Sequence, residues 1–180
     1  MSRILLCASA SVALYKACDL ASQLTQAGHE VRALLTPAAA RLVNPQLFEA
    51  VTGQPASSSE FGADRRGAMD HIEHARWAEL ALVAPCTADL AARLAAGMAD
   101  DLVATTLLAL EPAVPRLLYP AMNPTMLAHP AVVRNLEQLR ADGWQVERPD
   151  EGSLACGEIG PGRLVEPEQI LVRVLELLPR

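Results

Sequence analysis

The chain opens with Arg3-Ile-Leu-Leu-Cys-Ala-Ser-Ala-Ser11, an apolar run that passes into small polar residues. Such a run is typical of a parallel strand that is buried on both faces. Apolar residues with helical spacing follow over residues 13–27, and Gly28 stands where a helix is expected to end. Residues 30–36 have the pattern of a second strand. This β–helix–β unit predicts a doubly wound α/β fold with a right-handed crossover.

The alternation of strands and helices continues along the rest of the chain. Further strands are predicted at residues 80–85, 114–119 and 144–148. Helices are predicted at residues 37–51 with a break at Pro45, at 89–96, at 99–110, from the Asn123-Pro124 pair to Gly143, and at 167–178. Residues 52–69 are rich in Gly and Ser, which predicts an irregular segment on the protein surface. We therefore predict one α/β domain over residues 1–180, a doubly wound parallel sheet with helices on both faces.

The composition excludes several classes of protein. Aromatic residues make up only 3% of the chain, and 51% of it is hydrophobic, which suits an aliphatic α/β core. The net charge of −6, without a basic tract, argues against a nucleic-acid partner. No apolar stretch reaches the ~20 residues of a membrane span, and the first run is shorter than the ~7–15 residues of a secretory signal. We expect a cytoplasmic protein.

The cysteines and histidines do not form a metal-binding pattern. Cys7, Cys18, Cys86 and Cys156 lie far apart, with neither zinc-type spacing nor the density of a disulfide framework. His71 and the nearby His74 have no third ligand close by in the sequence, so we predict no metal site.

Polar residues follow the predicted strands, where open α/β sheets bind their ligands. Ser9 and Ser11 could hold a mononucleotide phosphate at the start of the first helix, or they could simply cap that helix. Thr87 and its neighbours follow the third strand. Asp100 and Asp101 precede a helix, where capping explains them.

The segment 149–163 carries a thiol and ends on a guanidinium. It contains four glycines and two prolines, so we expect neither a regular helix nor a regular strand there. With Cys156 at its centre and Arg163 at its end, it reads as a flap over a small anionic ligand, or as a surface loop with a free thiol.

Five separated segments of the chain resemble, in the same order, the homo-oligomeric flavin-containing cysteine decarboxylases. They are Ser11-Val-Ala-Leu-Tyr-Lys16, His71-Ile-Glu-His-Ala-Arg-Trp77, Ala84-Pro-Cys-Thr-Ala-Asp89, Pro120-Ala-Met-Asn-Pro-Thr-Met126 and Leu154-Ala-Cys-Gly-Glu-Ile-Gly-Pro-Gly-Arg163. Each segment is a weak signal alone, but the last two together are specific to this family.

The resemblance implies an FMN enzyme with a Rossmann-like, flavodoxin-type fold. It implies trimers or higher assemblies such as dodecamers, with the flavin near a subunit interface. The implied reaction is decarboxylation of 4′-phospho-N-pantothenoylcysteine to 4′-phosphopantetheine in coenzyme A biosynthesis. In that reaction the flavin oxidises the cysteinyl thiol, carbon dioxide leaves, and an enethiolate is protonated and reduced.

The resemblance also implies roles for individual residues. His71 would be the base, Asn123 would hold the substrate carboxylate, and Cys156 would be the final proton donor. The positions implied to contact FMN are Ala10, Ser11, Val12, Thr36, Thr87, Ala88, Asp89 and Ala121. Those implied to contact the substrate are Asn123, Met126, Ala155, Gly157 and Arg163.

The chain departs from the family pattern at several of these positions. Family members carry Gly at Ala10, an amide near Asp100 and an aromatic residue at Leu127, so we expect weaker flavin binding. A carboxylate at Asp89 would repel a flavin phosphate unless it points away. Three alternatives stay open: a peptidyl-cysteine decarboxylase that stops at the enethiol, another flavoprotein of the family such as a flavin prenyltransferase, and a non-catalytic flavin-binding regulatory subunit.

Overall fold

A computed structural model describes residues 1–61, 69–155 and 157–178 of the chain. Its main sheet has five parallel strands in the order β2-β1-β3-β4-β5. The strands are Arg3–Ala8 (β1), Glu30–Leu35 (β2), Leu80–Cys86 (β3), Arg116–Pro120 (β4) and Gln145–Val146 (β5). This order is that of flavodoxin-type doubly wound folds, so the predicted fold class is confirmed.

Helices cover both faces of the sheet, as predicted. Their ranges are Leu14–Gln26 (α1), Pro37–Ala40 (α2), Pro45–Thr52 (α3), Asp70–Trp77 (α4), Ala88–Ala95 (α5), Leu102–Leu108 (α6), Pro124–Leu127 (α7), Pro130–Ala141 (α8) and Pro167–Leu177 (α9). One face packs on α1, α3 and α9, and the other on α4, α5, α6 and α8. No helix in the described ranges is long and apolar enough to cross a membrane.

The central strands are buried on both sides because each lies between two helical layers. Every residue of β3 is buried, and β1 is buried from Ile4 onward. Their side chains alternate between the two cores, as the unbroken apolar runs predicted. The edge strand β5 is shorter than the predicted 144–148. It ends near Pro149, which has no N–H to continue a ladder.

The segment 149–163 is an antiparallel hairpin, so the prediction that it contains no regular strand was wrong. Strand β6, Asp150–Ser153, pairs with β7, Ile159–Arg163. The glycines permit the pairing because Gly152 and Gly162 adopt positive φ angles, and the register shifts between Asp150 and Glu151. Cys156 lies outside the described residues.

A backbone contact attaches this hairpin to the segment that follows β4. The Met122 N–H donates to the Gly162 carbonyl oxygen at 3.1 Å. Gly162 has a φ of +126°, and a Cβ there would stand 1.9 Å from the Met122 carbonyl oxygen. Only glycine can occupy this position without moving the hairpin.

Replacement of Gly162 by Ala should therefore destabilise the protein by about 2–4 kcal/mol, because strain at a positive φ adds to the overlap with Met122. Urea unfolding of both proteins measures the loss. Gly28→Ala is the matched control: Gly28 has a φ of +88°, but a Cβ there meets nothing within 4 Å. That variant should lose only about 1 kcal/mol. Equal losses in the two variants would contradict the role of the Met122 contact.

Candidate active site

Two cavities lie at the carboxyl edge of the sheet, where ligands of open α/β folds bind. The first, here called the switch-point cavity, has a volume of about 520 Å³ and includes Ser9, Ala10, Thr36, Thr87 and Ala88. It stands beside the point where the strand order reverses, between β1 and β3. The second, the hairpin cavity, has about 250 Å³ and lies among the start of α1, residues 121–123 and the hairpin.

Ser9 fixes the shape of the switch-point cavity. Its Oγ donates to the Pro85 carbonyl oxygen at 2.9 Å and accepts the Thr87 N–H at 2.8 Å. The Ser9 N–H also donates to the Pro85 carbonyl oxygen. Ser9 therefore joins the ends of β1 and β3 and does not cap α1, which corrects the capping interpretation for this serine.

The start of α1 offers a set of donors suited to an anion. The α1 helix has no side-chain cap, although the Ser11 hydroxyl accepts the Ala13 N–H at 3.2 Å. Among the described residues, the backbone N–H groups of Ala10, Ser11 and Val12 make no hydrogen bond. Consecutive free N–H groups at the start of a helix attract phosphate. This donor set fits the phosphate of the FMN implied by the sequence.

Two threonines add hydroxyl groups to the switch-point cavity. Thr36 caps α2 by accepting the Ala39 N–H at 3.2 Å, and Thr87 caps α5 by accepting the Leu90 N–H at 3.4 Å. In both caps the hydroxyl oxygen is the acceptor, so each hydroxyl hydrogen remains available to a ligand.

A cluster of charges closes the far side of this cavity. Arg93 contacts Asp89 at 3.1 Å, Asp100 at 2.8 Å and Asp101 at 2.7 Å. Burial alone would lower the pKa of Arg93, but the hydrogen bonds that Arg93 donates to Asp101 and Asp100 outweigh it and hold the pKa above its ordinary value. The hydrogen bond from Arg93 lowers the pKa of Asp100. Asp89 thus turns toward Arg93, as a carboxylate near a flavin phosphate should.

Asn123 presents one end of its amide to the hairpin cavity. Its Oδ1 accepts the Met126 N–H at 2.8 Å and so caps α7. Asn123 lines the hairpin cavity, and its Nδ2 donates to no described residue. The cap therefore fixes the orientation of the amide, and the N–H₂ group remains as a donor for a ligand. Capping and ligand binding are compatible roles for this residue.

Charged side chains hold the far end of the hairpin. Lys16 is buried, and its Nζ donates to the Leu164 carbonyl oxygen at 2.7 Å and lies 2.9 Å from a carboxylate oxygen of Glu166. Arg163 pairs with the same carboxylate. Both Lys16 and Arg163 line the hairpin cavity, so Glu166 balances two cations at its edge.

The structure brings together most of the predicted site residues, but not His71. The residues predicted to contact FMN are divided: Ala10, Thr36, Thr87, Ala88 and Asp89 line the switch-point cavity, whereas Ser11, Val12 and Ala121 line the hairpin cavity. Of the residues predicted to contact substrate, Asn123, Ala155 and Arg163 line the hairpin cavity and Met126 lines the switch-point cavity. Gly157 lines neither; its N–H donates to the Leu154 carbonyl oxygen.

His71 stands in the first turn of α4 and lines neither cavity. Its Nδ1 is 2.6 Å from a carboxylate oxygen of Glu60, and both side chains are about three-quarters buried, with 26% and 23% exposed. This contact leaves Nε2 as the nitrogen available to a ligand.

Two residues of the site were missed from the sequence. Lys16 lies within one of the quoted segments, and a lysine next to the apolar face of α1 was a signal of a buried charge. Arg93 is four residues after Asp89 on one helix, a spacing that indicates an ion pair.

The three described cysteines are structural. Cys7 and Cys86 are fully buried, and burial, the largest cause, raises the pKa of both thiols. Burial likewise raises the pKa of Cys18. None of the three lines either cavity, so their thiols stay protonated within the core.

Comparisons with known proteins relate the whole chain to one family. The family model "Flavoprotein" matches residues 1–178. The coenzyme A biosynthesis bifunctional protein CoaBC of Bacillus subtilis is 45% identical over 168 residues, which cover 93% of this chain and 41% of that protein. CoaBC of Escherichia coli K12 is 45% identical over 169 residues, 94% of this chain and 41% of that protein. The chain thus spans about 41% of the length of these relatives.

Comparison with solved structures leads to the same family. A PPC decarboxylase mutant complexed with pantothenoylaminoethenethiol superposes with a TM-score of 0.84 at 29% identity, covering 98% of each chain. The FMN-dependent cysteine decarboxylase SpaF superposes with a TM-score of 0.83 at 31% identity, covering 98% of this chain and 96% of that one. From its sequence and its fold, the chain belongs to the Flavoprotein family.

Proposed function

We propose that this protein is an FMN-dependent decarboxylase that converts 4′-phospho-N-pantothenoylcysteine into 4′-phosphopantetheine in coenzyme A biosynthesis, in the cytoplasm. The observation that carries the proposal is the free amide N–H₂ group of Asn123 in the hairpin cavity, beside a second cavity that fits a mononucleotide. The CoaBC relatives and the PPC decarboxylase structure support the same reaction.

FMN would occupy the switch-point cavity. Its phosphate would lie at the start of α1, where Ala10 lines this cavity and the next two residues, Ser11 and Val12, line the hairpin cavity, and it would accept from the N–H groups of all three. Thr36 and Thr87 would donate hydrogen bonds to it from their hydroxyl groups. When bound, FMN supplies the oxidation of the cysteinyl group and the later return of two electrons. SpaF, which is FMN-dependent by name, supports this choice of cofactor.

The substrate would bind in the hairpin cavity through its carboxylate and its phosphate. Asn123 offers the carboxylate a neutral donor, which orients the group without stabilising its charge as strongly as a cation would. Lys16 and Arg163 lie at the same cavity, but both face Glu166, so Arg163 must exchange this partner for the substrate in order to bind it. Within this cavity Ala155 would contact the rest of the substrate. Met126, which lines the switch-point cavity, and Gly157, which lines neither cavity, would contact the substrate where it extends beyond the walls of the hairpin cavity.

Cys156 would complete the reaction. In the sequence it stands between Ala155 and Gly157, and the base of the hairpin is fixed by the contact of Gly162 with Met122. A thiol is mostly protonated near neutral pH, so Cys156 can deliver a proton to the enethiolate. The structure of a PPC decarboxylase mutant in complex with pantothenoylaminoethenethiol, an enethiol, supports an enethiol stage in the proposed reaction.

His71 would reach the substrate from a neighbouring subunit in a trimer or a larger assembly. Exposed apolar side chains lie both beside the hairpin cavity and near His71. Val12 and Tyr15, beside the hairpin cavity, are 71% and 64% exposed, and Phe61 and Met69, near His71, are 87% and 60% exposed. Two different apolar surfaces on one chain can form a head-to-tail contact that closes into a ring. Nε2 of His71 would then accept the proton of the substrate thiol.

Purified protein reconstituted with FMN should decarboxylate 4′-phospho-N-pantothenoylcysteine, and mass spectrometry of the product measures the loss of carbon dioxide. Asn123→Asp is the control variant. A carboxylate still caps α7, but the donor is lost and the substrate carboxylate is repelled, so turnover should fall roughly a hundredfold. A flavin-loaded wild type without turnover would refute the proposed substrate.

Cys156→Ser should still release carbon dioxide but accumulate the enethiol, because the alcohol is a far weaker acid than the thiol. The measurement is the mass of the product, which differs by two hydrogens between the enethiol and 4′-phosphopantetheine. Cys18→Ser, which changes a thiol outside both cavities, should give the complete product. Complete product from the Cys156 variant would instead favour a proton donor elsewhere.

Mixing two inactive variants should restore activity if His71 and Asn123 of one site come from different subunits. After His71→Ala and Asn123→Asp are co-expressed, about a quarter of the sites in a randomly mixed ring should contain both wild-type residues. Turnover relative to wild type, at equal flavin content, is the measurement. If each site uses one chain only, the mixture will remain as inactive as its components.

A further inference from the structure

A third cavity, which the proposed function does not use, lies at the carboxyl ends of β4 and β5 on the face covered by α9. It has a volume of about 490 Å³ and includes Tyr119, Val146, Arg148, Asp150 and Val165. We call it the α9 cavity. Since Tyr119 is near the end of β4 and Arg148 follows β5, the α9 cavity opens at the same edge of the sheet as the other two. Ligands of open α/β sheets bind at this edge.

Tyr119 is a buried side chain whose hydroxyl has no protein partner in the described ranges. Only 3% of the residue is exposed, and no hydrogen bond to its hydroxyl is formed by the described residues. The hydroxyl is also not sealed off from solvent, so it opens into the α9 cavity that Tyr119 lines. Burial, followed by the charge of Glu147, raises the pKa of Tyr119, so the hydroxyl keeps its proton. A tyrosine in this state is a donor that awaits an acceptor.

One wall of the α9 cavity is fixed by an ion-pair network. Arg173 donates to Glu147 at 3.1 Å, to Gln145 at 2.8 Å and to Glu176 at 2.9 Å. Its guanidinium group is therefore occupied by protein acceptors on both sides of the gap between β5 and α9. Arg173 and Glu147 shape the cavity and balance each other, and neither needs a ligand.

The rim of the cavity has one cation and one anion that are not paired. Arg148 and Asp150 stand two positions apart on either side of Pro149, and both line the cavity. In the part of the chain that the structure describes, neither side chain forms an ion pair or a hydrogen bond, including with the other. A guanidinium forms strong hydrogen bonds with a carboxylate, and a carboxylate does so with an ammonium group, so the two side chains can together bind a molecule that carries both charges.

We propose that the α9 cavity binds a small zwitterion of the α-amino acid class. Arg148 would bind the carboxylate of this ligand, Asp150 its ammonium group, and Tyr119 would donate to an acceptor atom of the ligand. Val146 and Val165 offer apolar surface to its side chain. The proposal rests on these residues alone and is independent of the decarboxylase assignment.

The cavity adjoins the hairpin, so an occupant would touch the element that covers the hairpin cavity. Asp150 is the first residue of β6 and pairs in register with Arg163 of β7. Val165 lines the α9 cavity, whereas its neighbour Leu164 lines the hairpin cavity. The proposed ligand would therefore hold the base of the hairpin from its outer side.

The full chain labelled with ¹³C-tyrosine provides a direct test, because Tyr15 and Tyr119 are its two tyrosines. The standard L-amino acids are titrated separately at millimolar concentration, and the two tyrosine signals are followed by NMR. At least one amino acid should shift the Tyr119 signal to saturation and leave the signal of Tyr15, which lines the hairpin cavity, unchanged. Its N-acetyl and its amide derivatives should each bind about tenfold more weakly, because each lacks one charge.

Substitutions of Arg148 and Asp150 test whether these two side chains bind the charged groups of the ligand. Arg148→Gln and Asp150→Asn should each weaken binding about tenfold, whereas Arg134→Gln on the exposed surface of α8 should leave it unchanged. The proposal is overturned if no amino acid moves the Tyr119 signal, if the signal of Tyr15 moves instead, or if the blocked derivatives bind as tightly as the amino acid. Wild-type affinity in both Arg148→Gln and Asp150→Asn would also overturn it.

Discussion

The site depends on a contact that only a glycine can make. Gly162 lies so close to the Met122 carbonyl oxygen that a Cβ could not fit between them, and the Met122 N–H donates back to Gly162. This contact sets the distance between the hairpin and the turn that precedes α7. The hairpin cavity, with Asn123 on one wall and Ala155 on the other, is the space that remains. Its width is therefore decided by backbone atoms, which are harder to displace than side chains.

Helix caps prepare both cavities for ligands. Thr36, Thr87 and Asn123 each use an oxygen atom to accept a backbone N–H of the helix that follows. Each cap supplies an acceptor for a backbone N–H group at the start of the helix, and the hydrogen atoms of the capping side chain remain available to donate to a ligand. The α1 helix, which also begins at these cavities, has no side-chain cap, and the N–H groups that precede it make no hydrogen bond among the described residues. In the described part of the chain, donors thus surround both cavities, and the cations that line them, Lys16, Arg93 and Arg163, are paired with carboxylates.

The sequence predicted the parallel sheet and its helices because strand and helix periods are local properties, visible in runs such as residues 3–8. The hairpin was missed because its glycines were read as strand breakers, whereas Gly160 and Gly162 are what allows β7 to pass Pro124 and Met122. The roles of Lys16 and Glu166 depend on a contact across 150 positions of the chain. No local pattern contains such a contact. His71 was identified as a site residue, but its distance from the cavities could only be seen in three dimensions.

The charges around Arg93 indicate how a flavin phosphate must be placed. Three carboxylates share this one guanidinium, so the cluster keeps a net negative charge, and the hydrogen bond from Arg93 that lowers the pKa of Asp100 keeps that carboxylate ionised. A phosphate would be repelled there and attracted to the N–H groups before α1, which make no hydrogen bond among the described residues and begin at Ala10 on the wall of the same cavity. Asp100, where the family resemblance led us to expect an amide, therefore does not prevent a phosphate from binding. It restricts the phosphate to the wall that Ala10 forms, from which Ser11 and Val12 continue into the hairpin cavity.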